Sequence, residues 1–186
     1  MLPTNIYHCS PRESIELKDS YYESFRQSIS EEGSMKPCGL WLSIEDDETD
    51  MNWFDWCKIE QFRLECLRLK FIVHIKEDAK ILWLRSSEEV VEFTRTYIST
   101  HPLGLSKFLE ASSGVRSSYY IDWKRVKNIY DGIIISPYQW ELRLSSDSSW
   151  YYTWDCASGC IWNLEKVSLK LESVIDIELL KEVNHQ

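Results

Sequence analysis

Three stretches of this chain of 186 residues bring together side chains able to do chemistry: Tyr7-His8-Cys9-Ser10, Gly39-Leu40-Trp41-Leu42-Ser43, and the region from Tyr130-Asp131-Gly132-Ile133 to Trp154-Asp155-Cys156-Ala157-Ser158-Gly159-Cys160-Ile161-Trp162. An imidazole can hold or pass a proton near neutral pH. An indole face stacks on flat rings, and a carboxylate can activate an acceptor or face a growing positive charge. The more familiar constellations are missing from the sequence: it has no Gly-x-Gly-x-x-Gly, phosphate loop, Gly-x-Ser-x-Gly elbow or His-Glu-x-x-His. Kinases, common hydrolases and Rossmann dehydrogenases are therefore poor fits. His8, His74, His101 and His185 are too dispersed for a metal cluster, and Cys156/Cys160 have no second cysteine pair to complete a zinc site.

The elements that must position these residues are expected within one domain, since no repeat, low-complexity tract or linker divides residues 1–186. The chain is 44% hydrophobic, which is enough for a core, and its apolar runs stop far short of the roughly 20 residues that cross a bilayer. No basic start followed by an apolar run marks a signal peptide, so the expectation is a cytoplasmic protein with free, mostly buried thiols at its six cysteines. A net charge of −9 disfavours general attraction to phosphate, leaving room only for a local basic patch. Nine Trp and ten Tyr predict a Trp-rich core, with a few rings free to line a cleft for a flat ligand.

Period and punctuation predict strands over residues 5–9, 39–43, 69–76, 80–84 and 133–135. Helices are expected over 52–66, with Trp53 and Trp56 inward, over 86–97, opened by a capping box from Ser86 to Glu89, and over 120–128. Residues 20–34 read as a helix or ordered loop, and the acidic run from Glu45 to Asp50 as a solvated loop. Strand composition at 139–144 and 150–154, joined by a serine-rich connection, predicts a hairpin; 159–162 reads as another strand and 171–183 as a helix. His74, inside an apolar run, is expected to be packed in the core. Strands, then helices, then strands without regular alternation imply an α+β fold.

His8-Cys9-Ser10 at the end of the first strand, Gly39-Leu40-Trp41-Leu42-Ser43 about thirty residues later, and Tyr130-Asp131-Gly132-Ile133 followed by further strands resemble the ADP-ribosyltransferase superfamily, the NAD-using fold of diphtheria toxin and the poly-ADP-ribose polymerases. In that family the first strand ends in His-x-Ser or His-x-Thr, a later strand supplies an aromatic wall, and a glutamate on a third strand completes the site. Here Trp41 stands in the tyrosine position. Asp155 lies closest to the place of the acidic residue, with Glu141 next and Asp131 third, and an aspartate reaches one methylene less far.

The resemblance implies a split, mostly antiparallel sheet with flanking helices, NAD as substrate, no metal, and a protein or nucleic-acid acceptor. It also implies the setting of a toxin, effector or antiviral factor. His8 would hydrogen-bond the ribose of the nicotinamide end, and Ser10 or Ser43 the carboxamide. Trp41, and Tyr7 with it, would stack on nicotinamide beside Gly39, and Asp155 or Glu141 would act as the catalytic carboxylate. The same segments have plainer readings. Gly-Leu-Trp-Leu-Ser is ordinary core-strand sequence, and an Asp ahead of Ser-Gly caps turns. A non-catalytic binding module, an NAD hydrolase or a phosphotransferase on the same cleft are the competing functions.

Overall fold

The β-branched run Ile133-Ile134-Ile135 becomes the interior of a strand with all four residues buried. The structure is a computed structural model that describes residues 2–17, 35–46, 50–99 and 120–181. Its strands are β1 (Ile6–Ser10), β2 (Leu40–Ile44), β3 (Leu69–Ile75), β4 (Ile81–Leu84), β5 (Gly132–Ile135), β6 (Ser158–Ile161) and β7 (Val167–Val174). They form a seven-stranded sheet in the order β4-β5-β6-β2-β1-β3-β7. Only β4 and β5 run parallel; the other pairs are antiparallel. The fold is thus mixed α/β on one mostly antiparallel open sheet. No helix among the described residues is long and apolar enough to cross a membrane.

The sheet is continuous, but its joints are unequal. The β2–β6 and β1–β3 ladders each register four residue pairs, whereas β1–β2 registers only Ile6↔Ile44 and Tyr7↔Ser43. The sheet therefore has a narrow waist between β1 and β2.

Among the described residues four short helices, α1 (Trp53–Ile59), α2 (Ser87–Tyr97), α3 (Trp123–Lys127) and α4 (Ile177–Lys181), accompany the strands. The larger core joins Leu40, Leu42, Ile44 and Ile133 to Val90 and Phe93 of α2, Trp123 of α3, and Trp150 and Trp154. Its indoles interlock edge to face: Trp123 meets Trp150 at 5.8 Å, and Trp150 meets Trp154 at 6.0 Å. A smaller cluster of Cys57, Leu64 and Leu67 packs with Cys9, Trp53, Trp56 and α4. Ser86 caps α2 as expected, accepting the Glu89 N–H at 3.3 Å. The reciprocal arm of the box differs, because the Glu89 carboxylate accepts from Arg85 N rather than from Ser86.

Several expectations are corrected. The helix over 52–66 ends at Ile59, and a separate 3-10 turn, Leu64–Leu67, follows Gln61 and Arg63, whose φ values of 50° and 48° are left-handed. Residues 139–144 and 150–154 form no hairpin; they are 3-10 turns, Trp140–Leu142 and Ser146–Thr153. The reason is spacing: Trp150, Tyr151 and Trp154 are buried while Tyr152 is exposed, a helical rather than alternating pattern. Residues 171–174 continue β7, and helix begins only at Ile177, where the Asp176 carboxylate accepts the Glu178 N–H. His74 is exposed, because β3 buries Leu69, Phe71 and Val73 on one face and turns the alternate positions outward. The expected element over 20–34 lies outside the described residues. The acidic run lies outside helix and strand where it is described, with Asp46 exposed, and residues 47–49 lie outside the described residues. Glu45 pairs with Lys70 at 2.6 Å, Asp46 accepts from Thr4 N at 3.0 Å and Asp50 accepts from Tyr138 N at 2.9 Å, so these three also tether the loop.

Trp150 donates its buried Nε1–H to Thr94 Oγ1 at 2.8 Å, and Thr94 in turn donates to Val90 O. Thr94→Val keeps the shape and strands that indole donor, so urea denaturation should show a loss of about 1–3 kcal/mol. Thr94→Ser, which keeps a hydroxyl, should lose less than half of that.

Candidate functional site

Where the β1–β2 ladder stops, a side chain takes over from the backbone. His8 Nδ1 lies 2.8 Å from the Trp41 carbonyl oxygen. A carbonyl only accepts, so Nδ1 carries the proton and neutral His8 is left with Nε2 as an acceptor. Burial holds the His8 pKa below its ordinary value, and the bond to Trp41 opposes that shift. The ring is neutral at pH 7 with its tautomer set by the strand beside it.

A cavity of about 290 Å³ opens at this waist. His8 and Cys9 from β1, Trp41 and Ser43 from β2, Trp53 at the start of α1, and Trp154, Asp155 and Cys156 ahead of β6 all contribute to its walls, with Lys36 and Arg63 adding positive charge. Sheet order explains the convergence, since β2 lies between β1 and β6. Backbone bonds then fix the approach to β6: Ala157 N donates to Met51 O at 2.7 Å and Asn52 bridges to Ala157. Asn52 also caps α1, accepting from Asp55 N at 2.9 Å. One short connection thereby ties the helix bearing Trp53 to the segment bearing Asp155.

Of the residues singled out in the sequence, His8, Trp41, Ser43 and Asp155 line this cavity. Trp41 is half-buried, with Trp154 edge-on at 4.9 Å and the Lys36 ammonium 4.9 Å from its ring centre. Ser43 Oγ accepts from Trp53 N at 3.2 Å and lies 3.3 Å from Glu45 Oε1, to which it donates. One hydroxyl lone pair remains for a ligand. Asp155 faces Arg143 at 3.6 Å. Burial raises the Asp155 carboxyl above its ordinary range, while Lys36 and Arg143 pull it down.

The other expected residues lie elsewhere. The Tyr7 ring is covered by the Lys70 ammonium at 3.8 Å. Ser10 Oγ accepts from Arg12 N at 3.2 Å and lines a separate groove with Arg12 and Glu16. Gly39 is buried against β6, where a Cβ would run into the Ile161 carbonyl and sit 2.8 Å from Cys160 Sγ. Its role there is close strand approach. Glu141, on an exposed turn, accepts a hydrogen bond from the Ser87 hydroxyl near the start of α2. Asp131 accepts from Lys80 N and Asn163, tying β4 to the end of β6.

The sequence reading missed Lys36, Arg63 and Trp154 as wall residues. Nothing in the sequence marks Arg63; its left-handed backbone, φ 48°, is a property of the fold alone. None of the six cysteines is in a disulfide, and Cys9 at the cavity has its thiol pushed up to about 12 by burial, an unreactive state. Among the described residues no group of three His, Cys, Asp or Glu is placed to hold a metal ion. Comparison with protein-family models, curated proteins and solved structures finds no match to this chain.

His8 makes stability depend on pH. The unfolded chain binds a proton on it near 6.5, while the folded protein does so only at lower pH. Stability present above 6.5 should therefore drain as the pH falls below that value. Thermal melts from pH 7.5 to about 5 should show a shallower acid decline in His8→Gln than in the parent. Equal slopes would mean that His8 is no more shielded than a surface histidine.

Proposed function

We propose that the chain is an NAD-dependent ADP-ribosyltransferase that releases nicotinamide and passes ADP-ribose to a macromolecular acceptor, protein or nucleic acid. The observation that carries this reading is the meeting of His8, Trp41 with Ser43, and Asp155 around one cavity, although more than a hundred positions separate the first from the last. These are the residues in which the chain resembles the superfamily, and β1, β2 and β6 are consecutive neighbours in the sheet. The fold proposed with this function is the superfamily's own, with the β1–β2 waist as its split.

The chemistry suits the walls. Small-molecule sites run to about 300–1,000 Å³. A cavity of about 290 Å³ thus takes the nicotinamide and its ribose and leaves the adenosine end outside. In the reaction the bond between ribose C1′ and the pyridine nitrogen breaks, and its electron pair goes to nicotinamide, which leaves neutral. The sugar becomes oxocarbenium-like and is captured by a lone pair of the acceptor, whose proton passes to a base.

His8 Nε2 accepts from a ribose hydroxyl, Trp41 stacks on the pyridine ring, and Ser43 accepts from the carboxamide. Asp155 is the carboxylate on hand to face the cationic sugar and take the acceptor proton. Its short side chain and its Arg143 partner favour an acceptor that comes to the carboxylate rather than one reached by it.

Incubation with labelled NAD tests the reading. Nicotinamide release with label on an acceptor is the expected result; release without label makes the protein an NAD hydrolase, and neither makes it a binding module. Asp155→Asn should lower kcat/KM by about 10²–10⁴ with little change in thermal stability, which general acid–base catalysis makes its scale. Glu141→Gln should cost less than Asp155→Asn; the reverse order would move the catalytic carboxylate out of the cavity.

A further inference from the structure

The Trp41 ring that the proposed function gives to nicotinamide is already in use. The Lys36 ammonium stands 4.9 Å from the ring centre, within cation–π range, and Lys36 is itself part of the cavity wall. Trp154 closes against the same indole at 4.9 Å, edge-on. The positive charge of Lys36 also reaches Asp155, whose carboxyl it pulls down. Lys36 thus engages both features that would attract a cationic pyridine ring, the indole face and the half-buried carboxylate, which Arg143 also faces. A second cation cannot stack there while the ammonium remains, because both need the same volume and repel each other.

We propose that Lys36 is a built-in occupant of the cation position on Trp41, which a ligand's cationic ring displaces on binding, and that this exchange makes the site select oxidised over reduced dinucleotide. The inference rests on the proposed NAD site. Lys36 lies on the segment leading into β2, ahead of Pro37, and shares the cavity with Arg63. Once displaced, it stays within reach of the cavity mouth, where a diphosphate is a better partner for an ammonium than an indole is. The favoured ligand therefore carries a flat cation at one end and a dianion beyond it. The neutral ring of a reduced dinucleotide removes Lys36 from Trp41 without replacing the cation–π contact, and it binds more weakly.

Calorimetry with three probes, 1-methylnicotinamide, NAD and reduced NAD, tests this on the parent protein and on Lys36→Met and Lys36→Gln, with circular dichroism confirming that each variant folds. Both neutral variants should bind 1-methylnicotinamide roughly tenfold tighter than the parent does, the scale of a partly desolvated cation–π contact. Lys36→Arg, which keeps a cation, should not. Both neutral variants should also lose affinity for NAD relative to 1-methylnicotinamide, because the diphosphate loses its ammonium.

Unchanged or weaker binding of 1-methylnicotinamide by both neutral variants, in a protein that does bind NAD, overturns the displacement and leaves the transferase reading standing. Tighter binding of that probe by the variants without NAD turnover in the parent upholds the displacement and removes the transferase reading. Binding of none of the three probes by any form overturns both.

Discussion

The bond between the His8 ring and the Trp41 carbonyl is the constraint on which the rest of the site depends. It sits where the β1–β2 ladder ends after Tyr7↔Ser43, and it replaces a backbone donor with a side-chain donor. A ring reaches farther than an amide N–H, so two strands can remain coupled while their backbones leave room between them. The same bond sets the histidine tautomer and leaves Nε2 bare. Opening the sheet and preparing a hydrogen-bond acceptor are one event here, and both would be lost with the ring.

The surroundings keep that opening from closing. Trp123, Trp150 and Trp154 are fully buried and interlock behind β2, β5 and β6, giving that half of the sheet a rigid backing. Trp53, a wall residue, stacks on Trp56 at 5.2 Å, and Phe62 closes against both rings, holding Trp53 in place. The two aromatic groups are coupled through polar contacts: Ser43 accepts from the Trp53 amide, and Met51 and Asn52 pair with Ala157. In a protein with a net charge of −9, Lys36 and Arg63 give the cavity a local polarity opposite to that of the whole molecule. Asp155 answers Lys36 across the cavity and Arg143 beside it.

The strands nearest the site were legible because their signals were local. Ile133-Ile134-Ile135 is β-branched, Leu40-Trp41-Leu42 is a short apolar run entered through Pro37 and Gly39, and Ser86 with Glu89 marks the start of α2. What misled was period read over too few residues. Residues 150–154 have strand composition, yet their buried positions follow helical spacing because the segment wraps the Tyr138–Tyr151 stack. Leu171, Val174, Ile175 and Leu179 mimic a helix face, but the first two are exposed positions of edge strand β7, where pairing with β3 decides the conformation. His74 shared an apolar run and still faces out, since a strand with one buried face alternates whatever its neighbours are.

By itself the sequence determined which segments could carry an imidazole, an indole and a carboxylate, and that strands and helices without regular alternation would hold them, because residue type and short-range period are local properties. Which of those side chains share a cavity was decided only in the tertiary structure. Strand order put β2 between β1 and β6, and the pleat then sent Trp41 and Ser43 to the cavity, while Lys70 covered Tyr7 and the chain beyond β5 carried Glu141 away. Lys36 and Arg63 joined the site for the same reason: charges distant in sequence gain a common partner only when non-local backbone pairing brings their segments together.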